Sequence, residues 1–220
     1  MAPRSFTRRL SVLSFLLVFL TSAALPLAAS AAPAGDVAAI PDLNTFTASV
    51  INGNGKVLRG IHVEGMFAYP VVQQGYSMEV SELPATLTQF GWASSYGVTG
   101  ILAHNWLTGA DFFRLRVGQK IHLIFGDGRT ETYWVNRLYR YQATMPESTY
   151  SQFIDLATGK GTDAEGVFRK VYMGDGHLTF QTCIAKDGQL SWGRLFVVAE
   201  PFEPMAAAPP AQRIAFNTLQ

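Results

Sequence analysis

The sequence contains one cysteine, Cys183, whose side chain is the strongest candidate for covalent chemistry in the chain. A cysteine acts as a nucleophile in its thiolate form, with a proton donor for the leaving group and hydrogen-bond donors for the developing oxyanion. A lone cysteine can also be a small apolar residue that packs inertly into a core. Here Thr179, Gln181 and Thr182 make the approach to Cys183 polar, and a turn follows shortly after it. This pattern favours a position at a cleft.

Four histidines could supply the proton donor, and His104 has the most suitable surroundings. It follows the apolar run 101–103 and precedes Asn105 and Trp106. We therefore expect it where a strand gives way to a loop, and loops commonly carry functional side chains. The remaining histidines are predicted to be exposed, two within strands and one in a turn: His62, His122 and His177.

An arginine is the best candidate for the oxyanion donor, because its guanidinium is permanently charged and carries several planar N–H groups. Arg194 lies eleven residues beyond Cys183, after a turn at 186–188 and before the apolar run 195–198. An antiparallel strand pair of that span brings Arg194 back beside Cys183. Six further arginines are predicted to be exposed surface charges: Arg114, Arg116, Arg129, Arg137, Arg140 and Arg169.

The elements that must position these side chains are mostly strands. Apolar and polar residues alternate over 121–125 and 130–136, and Gly126-Asp127-Gly128 lies between them, which predicts a β-hairpin. Further strands are predicted at 178–184, 195–199, 57–67 and 98–103. Many short strands joined by short turns predict a mainly β, largely antiparallel fold that forms a closed or nearly closed barrel.

Two segments predict short helices. Segment 148–158 carries apolar residues at helical spacing and ends before Gly159, which is typical of a helix C-terminus. Segment 83–92 has Pro84 near its start, where a helix tolerates proline. The apolar residues of the first segment are Tyr150, Phe153, Ile154 and Ala157.

The N-terminus has the pattern of a secretory segment. Three arginines precede an apolar run over 10–27, and Ala29-Ser30-Ala31 matches the small-x-small pattern that a signal peptidase cleaves. An uncleaved membrane anchor is the alternative, because the apolar run is just long enough to span a bilayer. The predicted organisation is a signal peptide or anchor at 1–31, a flexible leader at 32–42, one domain at 43–203 and a flexible tail at 204–220.

Composition excludes several classes of protein. The chain is 48% hydrophobic and 15% charged, which argues against intrinsic disorder. Loss of the three N-terminal arginines would leave 14 basic and 16 acidic residues. The net charge would then be slightly negative and would not favour binding to nucleic acid. A single cysteine allows no internal disulfide, and the scattered histidines indicate no metal site. We expect no cofactor.

The order of these candidate residues resembles the sortase family. The run Thr179-Phe180-Gln181-Thr182-Cys183 is similar to the family's Thr-Leu-x-Thr-Cys strand, with phenylalanine in place of leucine. Ala103-His104-Asn105 is similar to its Gly-His-x motif, and 111–121 is similar to its F-x-x-L-x-x-G-D-x-I run, with Gln119 in place of aspartate. The resemblance covers about residues 55–200.

The resemblance implies an exported cysteine transpeptidase on an eight-stranded barrel. Cys183 would be the nucleophile, His104 the general acid and base, and Arg194 the stabiliser of the oxyanion or substrate carbonyl, while Thr182 and Asn105 would contact substrate. The partners would be a protein or peptide bearing a sorting signal and an amine acceptor, outside the cytoplasm. The enzyme would be secreted or anchored on the outer face of the cell membrane.

Two other functions remain open at this point. A hydrolase on the same scaffold would resolve the same acyl-enzyme with water. A catalytically silent barrel would serve in binding or scaffolding and would bury Cys183. The spacing of 79 residues between His104 and Cys183 is long for the simplest sortases, and the predicted helix at 148–158 would account for it as an insertion.

Overall fold

The computed structural model describes residues 39–76, 78–174 and 176–202. The predicted secretory segment 1–31 and tail 204–220 lie outside these residues, as do residues 32–38 of the predicted leader. Within the described part of the chain, no helix combines the length and the apolar character that crossing a membrane requires.

The described residues form ten strands and four short helices. The strands are β1 (Leu58–Val63), β2 (Phe67–Gln73), β3 (Leu87–Phe90), β4 (Thr99–Leu102), β5 (Lys120–Phe125), β6 (Thr130–Ala143), β7 (Gln152–Asp155), β8 (Gly161–Asp163), β9 (Leu178–Lys186) and β10 (Gln189–Pro201). The helices are α1 (Leu43–Val50), α2 (Gly91–Ser94), a 3₁₀ helix (Thr108–Arg114) and α3 (Ala164–Tyr172).

Eight of the described strands close into a ring. Their order is β10-β9-β4-β3-β2-β1-β5-β6, and β6 pairs again with β10, so the sheet has no free edge along this circuit. The remaining two, β7 and β8, extend from one end of β6 as a hairpin. The predicted mainly β, eight-stranded barrel with a few short helices is confirmed.

Most pairings in the ring are antiparallel, as predicted, but two are parallel: β2 with β3 and β4 with β9. The second of these matters for the site. Because parallel strands run in the same direction, β4 and β9 end at the same rim of the barrel. Residues that follow β4 therefore lie beside the carboxyl end of β9.

The barrel interior holds the main hydrophobic core. Ile101, Phe180 and Leu195 are fully buried there, and Phe112 of the 3₁₀ helix enters the same core with its ring 4.9 Å from that of Phe180. A second cluster lies on the outer face of the same wall, where α3 packs; it includes Tyr141, Tyr172 and Phe196. Side chains along β9 and β10 thus alternate between the interior and an outer layer.

The predicted β5–β6 hairpin is confirmed. Ile121 pairs with Tyr133 across it, and both side chains are buried in the interior core. Gly128 has φ of +88° in the connecting turn, a conformation that glycine adopts without strain. The second predicted hairpin also forms, with β9 and β10 joined at Asp187 and Gly188.

The predicted helix at 148–158 is wrong. Residues 152–155 form β7, and Phe153 pairs with Ala143 of β6. The helical spacing is misleading because Tyr150 is 84% exposed, so the segment has no continuous buried face. Gly159 does adopt positive φ, but it closes the β7–β8 turn.

The predicted helix at 83–92 is also wrong for most of its length. Residues 83–85 form a turn, and Leu87–Phe90 form β3 between β2 and β4. Ala85 has φ of +51°, which a right-handed helix cannot accommodate. Only the end of the segment is helical, as part of α2.

The helix before the cysteine strand is α3, which sequence reasoning missed. Asp163 caps it by accepting from the Gly166 amide at 2.7 Å, and Val167 and Val171 are buried one turn apart. Together with the β7–β8 hairpin, α3 supplies the insertion that the long spacing between His104 and Cys183 requires.

Three histidines differ from their predicted exposure. His62 is 4% exposed beneath α1, and its Nε2 lies 2.9 Å from the Pro41 carbonyl. His177 is half-buried, with Nε2 3.0 Å from the Val171 carbonyl. His122 is half-buried too, and burial lowers its pKa. The helices next to His62 and His177, α1 and α3, are not revealed by the sequence pattern around these histidines.

Candidate active site

His104, Cys183 and Arg194 occupy one row of backbone positions: Cys183 lies in β9, Arg194 in β10, and His104 two residues after the end of β4. Arg194 of β10 is directly paired with Cys183 of β9, as predicted. On the other side, Leu102 at the end of β4 is paired with Gln181. Continuing this parallel register by two residues places His104 beside Cys183. Cys183 is therefore paired with Arg194 on one side, and the backbone segment that carries His104 lies on its other side.

The row faces the outside of the barrel. Thr182 and Leu195 are buried on the interior side, and side chains alternate along a strand, so Cys183 and Arg194 both face outward. Ala103 is likewise part of the interior core, and the histidine follows it. The candidate site consequently lies on the outer side of the barrel wall, near the rim where β4 and β9 end.

The Cys183 thiol is half-buried, and three influences act on its pKa. Burial raises the pKa most strongly, because a thiolate loses solvation in this position. The Arg194 guanidinium lowers the pKa, and the carboxylate of Glu147 raises it. The balance leaves the pKa of Cys183 above its ordinary value, so the free protein holds the sulfur mainly as a thiol at neutral pH.

Alkylation of Cys183 by iodoacetamide is expected to be slow at neutral pH and to accelerate above the pH range of an ordinary thiol. The thiolate is the reacting species, and the raised pKa moves its formation to higher pH. Intact-mass spectrometry over a series of pH values measures the rate, with a cysteine peptide as reference. A midpoint at or below that of the peptide would contradict the expectation, and a thiol that never reacts would favour the silent barrel.

Backbone carbonyls hold the guanidinium of Arg194. Its Nη1 donates to the carbonyls of Ser191 and Gly193 at 2.7 and 2.9 Å, and its Nη2 donates to the Pro146 carbonyl at 3.1 Å. These contacts leave the Nε–H and the second Nη2 hydrogen without a protein acceptor within the described residues. Arg194 is thus fixed in position and still has donors for an oxyanion.

The imidazole of His104 borders a cleft of about 530 Å³ that is also lined by Thr88, Glu79 and Glu82. Trp106 stacks on the ring, with centroids 4.2 Å apart and planes inclined by 21°. Within the described part of the chain, neither ring nitrogen of His104 has a hydrogen-bond partner. The ring is oriented by stacking, and its nitrogens remain available for proton transfer.

The backbone of the His104 segment is held by a tight turn. The amides of Leu107 and Gly109 both donate to the His104 carbonyl at 3.0 Å. Thr182 donates through Oγ1 to the Ala103 carbonyl at 2.8 Å, which ties the segment to the strand that carries Cys183. Gly109 packs so closely that a Cβ would lie 2.4 Å from Thr182 Oγ1 and 2.6 Å from the His104 carbonyl oxygen.

Gly109→Ala is expected to displace the His104 segment and to destabilise the protein by about 1–3 kcal/mol, the usual cost of overpacking. The added Cβ meets backbone oxygen atoms, which have no room to move without shifting the turn. Chemical denaturation and the rate of Cys183 acylation measure the two effects. Gly161→Ala is the matched control, because a Cβ at Gly161 would meet nothing within 4 Å. Equal behaviour of the two variants would contradict this prediction.

The two predicted substrate contacts are placed differently. Thr182 is 2% exposed and faces the interior, and its hydroxyl donates to the Ala103 carbonyl, so its side chain joins β9 to the segment that carries His104. Asn105 is half-buried, and its Nδ2 donates to the Leu190 carbonyl at 2.9 Å. Its Oδ1 is buried without a hydrogen-bond partner, which leaves an acceptor beside the row.

Sequence reasoning missed three residues of this site. Glu147 lies 36 residues before Cys183 in the chain, in the loop after β6, and no local pattern connects the two. Trp106 was noted only as a neighbour of His104. Gly109 had one usable signal, since a glycine shortly after a strand end often marks a close backbone approach.

Comparison with known proteins gives similarity to solved structures of sortases. Sortase C1 from Streptococcus suis has a TM-score of 0.47 and 13% identity, covering 74% of this chain and 80% of that chain. Sortase C-1 from Actinomyces oris has a TM-score of 0.47 and 14% identity, covering 74% of this chain and 82% of that chain. Sortase A from Corynebacterium diphtheriae has a TM-score of 0.45 and 16% identity, covering 67% of this chain and 61% of that chain. No protein-family model and no curated protein matches the chain.

Proposed function

We propose that this protein is a sortase-type cysteine transpeptidase. The observation that carries the proposal is the pairing of Cys183 with Arg194 in the β9–β10 ladder, with His104 two residues beyond the end of the neighbouring strand β4. A nucleophile flanked by a proton donor and by a fixed cationic hydrogen-bond donor has the parts that acyl transfer requires. The motifs around these residues support the same reaction.

In the first half-reaction, the Cys183 thiolate attacks the carbonyl carbon of a scissile peptide bond. Arg194 donates its available N–H groups to the carbonyl oxygen as negative charge develops there. The C–N bond then breaks, and His104 as imidazolium gives its proton to the departing amine. The product is a thioester between Cys183 and the acyl portion of the substrate.

In the second half-reaction, an amine attacks the thioester carbonyl, and neutral His104 accepts the proton that the amine loses. The C–S bond breaks, a new amide forms, and Cys183 leaves as thiolate. The cleft beside His104 gives the incoming amine a route to the carbonyl carbon. Asn105, which directly follows His104, is the proposed contact for the bound peptide.

The substrate class is a protein or peptide that bears an extended sorting signal, with an amine-bearing acceptor at the cell surface. In this proposal the segment 1–31 exports the chain as a signal peptide or holds it as a membrane anchor. Residues 32–42 are a leader, 43–203 the catalytic domain and 204–220 a tail. No cofactor or metal takes part, since the cysteine, histidine and arginine supply each step.

A peptide library tests the proposal. The protein is incubated with labelled peptides, with and without an amine acceptor, and the acyl-enzyme at Cys183 is trapped and identified by mass spectrometry. An acyl-enzyme and an acceptor-dependent product support transpeptidation. An acyl-enzyme that yields only hydrolysed peptide favours the hydrolase, and absence of any adduct at a thiol that iodoacetamide labels contradicts both enzyme functions.

A further inference from the structure

Strand β10 contains a bulge opposite the part of β9 that follows Cys183. Gln189 pairs with Lys186 and Gly193 pairs with Ile184, so residues 190–192 of β10 stand opposite a single residue of β9. The extra residues cannot continue the regular ladder, and their backbone groups are free to turn toward other partners. We call residues 190–192 the β10 bulge.

The β10 bulge contacts Arg194 and also Asn105, the residue that follows His104. Its Leu190 carbonyl accepts from Asn105, which follows His104, at 2.9 Å. Its Ser191 carbonyl accepts from Arg194 Nη1 at 2.7 Å. The position of one short backbone segment therefore affects both the histidine side and the arginine side of the site.

The loop between β6 and β7 clamps the β10 bulge from outside. Glu147 of this loop accepts from Gln189 Nε2 at 2.6 Å and from the hydroxyl of Ser191. In return, Arg194 of β10 donates to the carbonyl of Pro146, the residue before the glutamate, at 3.1 Å. Hydrogen bonds in both directions thus join the loop to β10. Ser191 takes part twice: its hydroxyl donates to Glu147, and its carbonyl accepts from Arg194.

We propose that Glu147 is a positioning residue, which locks the β10 bulge to the loop after β6 and so keeps Arg194 beside Cys183; this rests on the function proposed above. Glu147 is itself exposed, and a single exposed polar contact contributes little. Here one carboxylate accepts from Ser191 of the bulge and from Gln189 directly before it, and the adjacent Pro146 carbonyl accepts from the Arg194 guanidinium. If the Glu147 carboxylate is removed, the hydrogen bond from Arg194 to the Pro146 carbonyl is the one of these contacts that still joins the loop to β10.

The carboxylate also leaves an electrostatic signature that a merely structural residue would not. It acts on the thiol at the same time as Arg194 and with the opposite sign, raising the pKa of Cys183 where Arg194 lowers it. An uncharged glutamine can still accept from Gln189 and Ser191. Substitution by glutamine therefore separates the charge of Glu147 from its hydrogen bonds.

Three measurements on Glu147→Ala and Glu147→Gln test the proposal. Hydrogen exchange monitored by mass spectrometry follows segments 144–151 and 186–194. The pH profile of Cys183 alkylation reports the charge, and the rate of acylation by a substrate peptide reports the position of Arg194. Glu200→Gln is the matched control, because Glu200 lies near the far end of β10, where it bonds Asn136.

Glu147→Ala is expected to exchange faster in both segments and to lose about tenfold in acylation rate, in line with the loss of hydrogen bonds to a charged group. Glu147→Gln is expected to recover most of that rate. Glu147→Gln shifts the alkylation profile to lower pH, because the charge that raises the pKa of Cys183 is gone while the hydrogen bonds that hold Arg194 in place remain. Glu200→Gln changes none of these quantities.

Unchanged hydrogen exchange in Glu147→Ala would overturn the clamp, and an unchanged acylation rate in that variant would overturn the positioning role. An alkylation profile that does not move in Glu147→Gln would also contradict the proposal. If the wild-type protein acylates no peptide, the proposed function fails. Exchange and alkylation would still decide whether Glu147 holds the β10 bulge.

Discussion

Cys183→Ala is expected to abolish acyl-enzyme formation completely while the barrel stays folded. The sulfur is the atom that forms the thioester, and loss of the nucleophile from an enzyme with a covalent intermediate costs on the order of 10⁶-fold. No other cysteine exists in the chain to replace it. Mass spectrometry after incubation with a reactive peptide measures the adduct, and any acceptor-dependent product from the variant would contradict the assignment.

The stability of Cys183→Ala provides the check on this prediction. The side chain is half-buried on the outer face of β9, and the interior core beneath it is built from neighbouring residues such as Phe180 and Thr182. Removing one sulfur from such a position leaves the core packing unchanged, so we expect a small change in the free energy of unfolding. A large loss of stability would instead mean that Cys183 is a structural residue, as the silent barrel requires.

Arg194→Ala is expected to lower the rate of acylation by about 10²–10³-fold, the usual effect of removing one oxyanion donor. The guanidinium is the cationic donor paired with Cys183 in the β9–β10 ladder. The rate of thioester formation under single-turnover conditions measures the loss. Arg194→Lys should lose activity as well, since one compact ammonium cannot hold several carbonyls and also donate to substrate.

Two further readouts separate a role in the reaction from a role in folding. Arg140→Ala is the matched control: Arg140 is exposed on β6, beside Leu195 in the sheet, and its loss should leave acylation unchanged. Because Arg194 lowers the pKa of Cys183, the alkylation profile of Arg194→Ala should move to higher pH. A profile that stays in place, or equal rates for the two variants, would contradict the role of Arg194.

Sequence reasoning succeeded where the evidence was local. Alternation along 121–125 and 130–136, with glycines between, predicted the β5–β6 hairpin, and the span from Cys183 to Arg194 predicted their pairing. It failed at 148–158, where spacing suited a helix but pairing with β6 made a strand. A short segment can fit both the helical and the strand spacing of apolar residues. Strands that are distant in sequence but pair with the segment then decide which structure it forms.

The sequence by itself determined the identity of the candidate residues and the pairing of Cys183 with Arg194, because a hairpin is a short-range structure. Only the tertiary structure decided that the segment of His104 lies beside β9, since β4 and β9 are separated by 75 residues of chain and pair in parallel. It also decided that the site lies on the outer face, where Thr182 points away from it, and that Glu147 reaches the β10 bulge. Such contacts depend on the closure of the whole barrel, which no local pattern encodes.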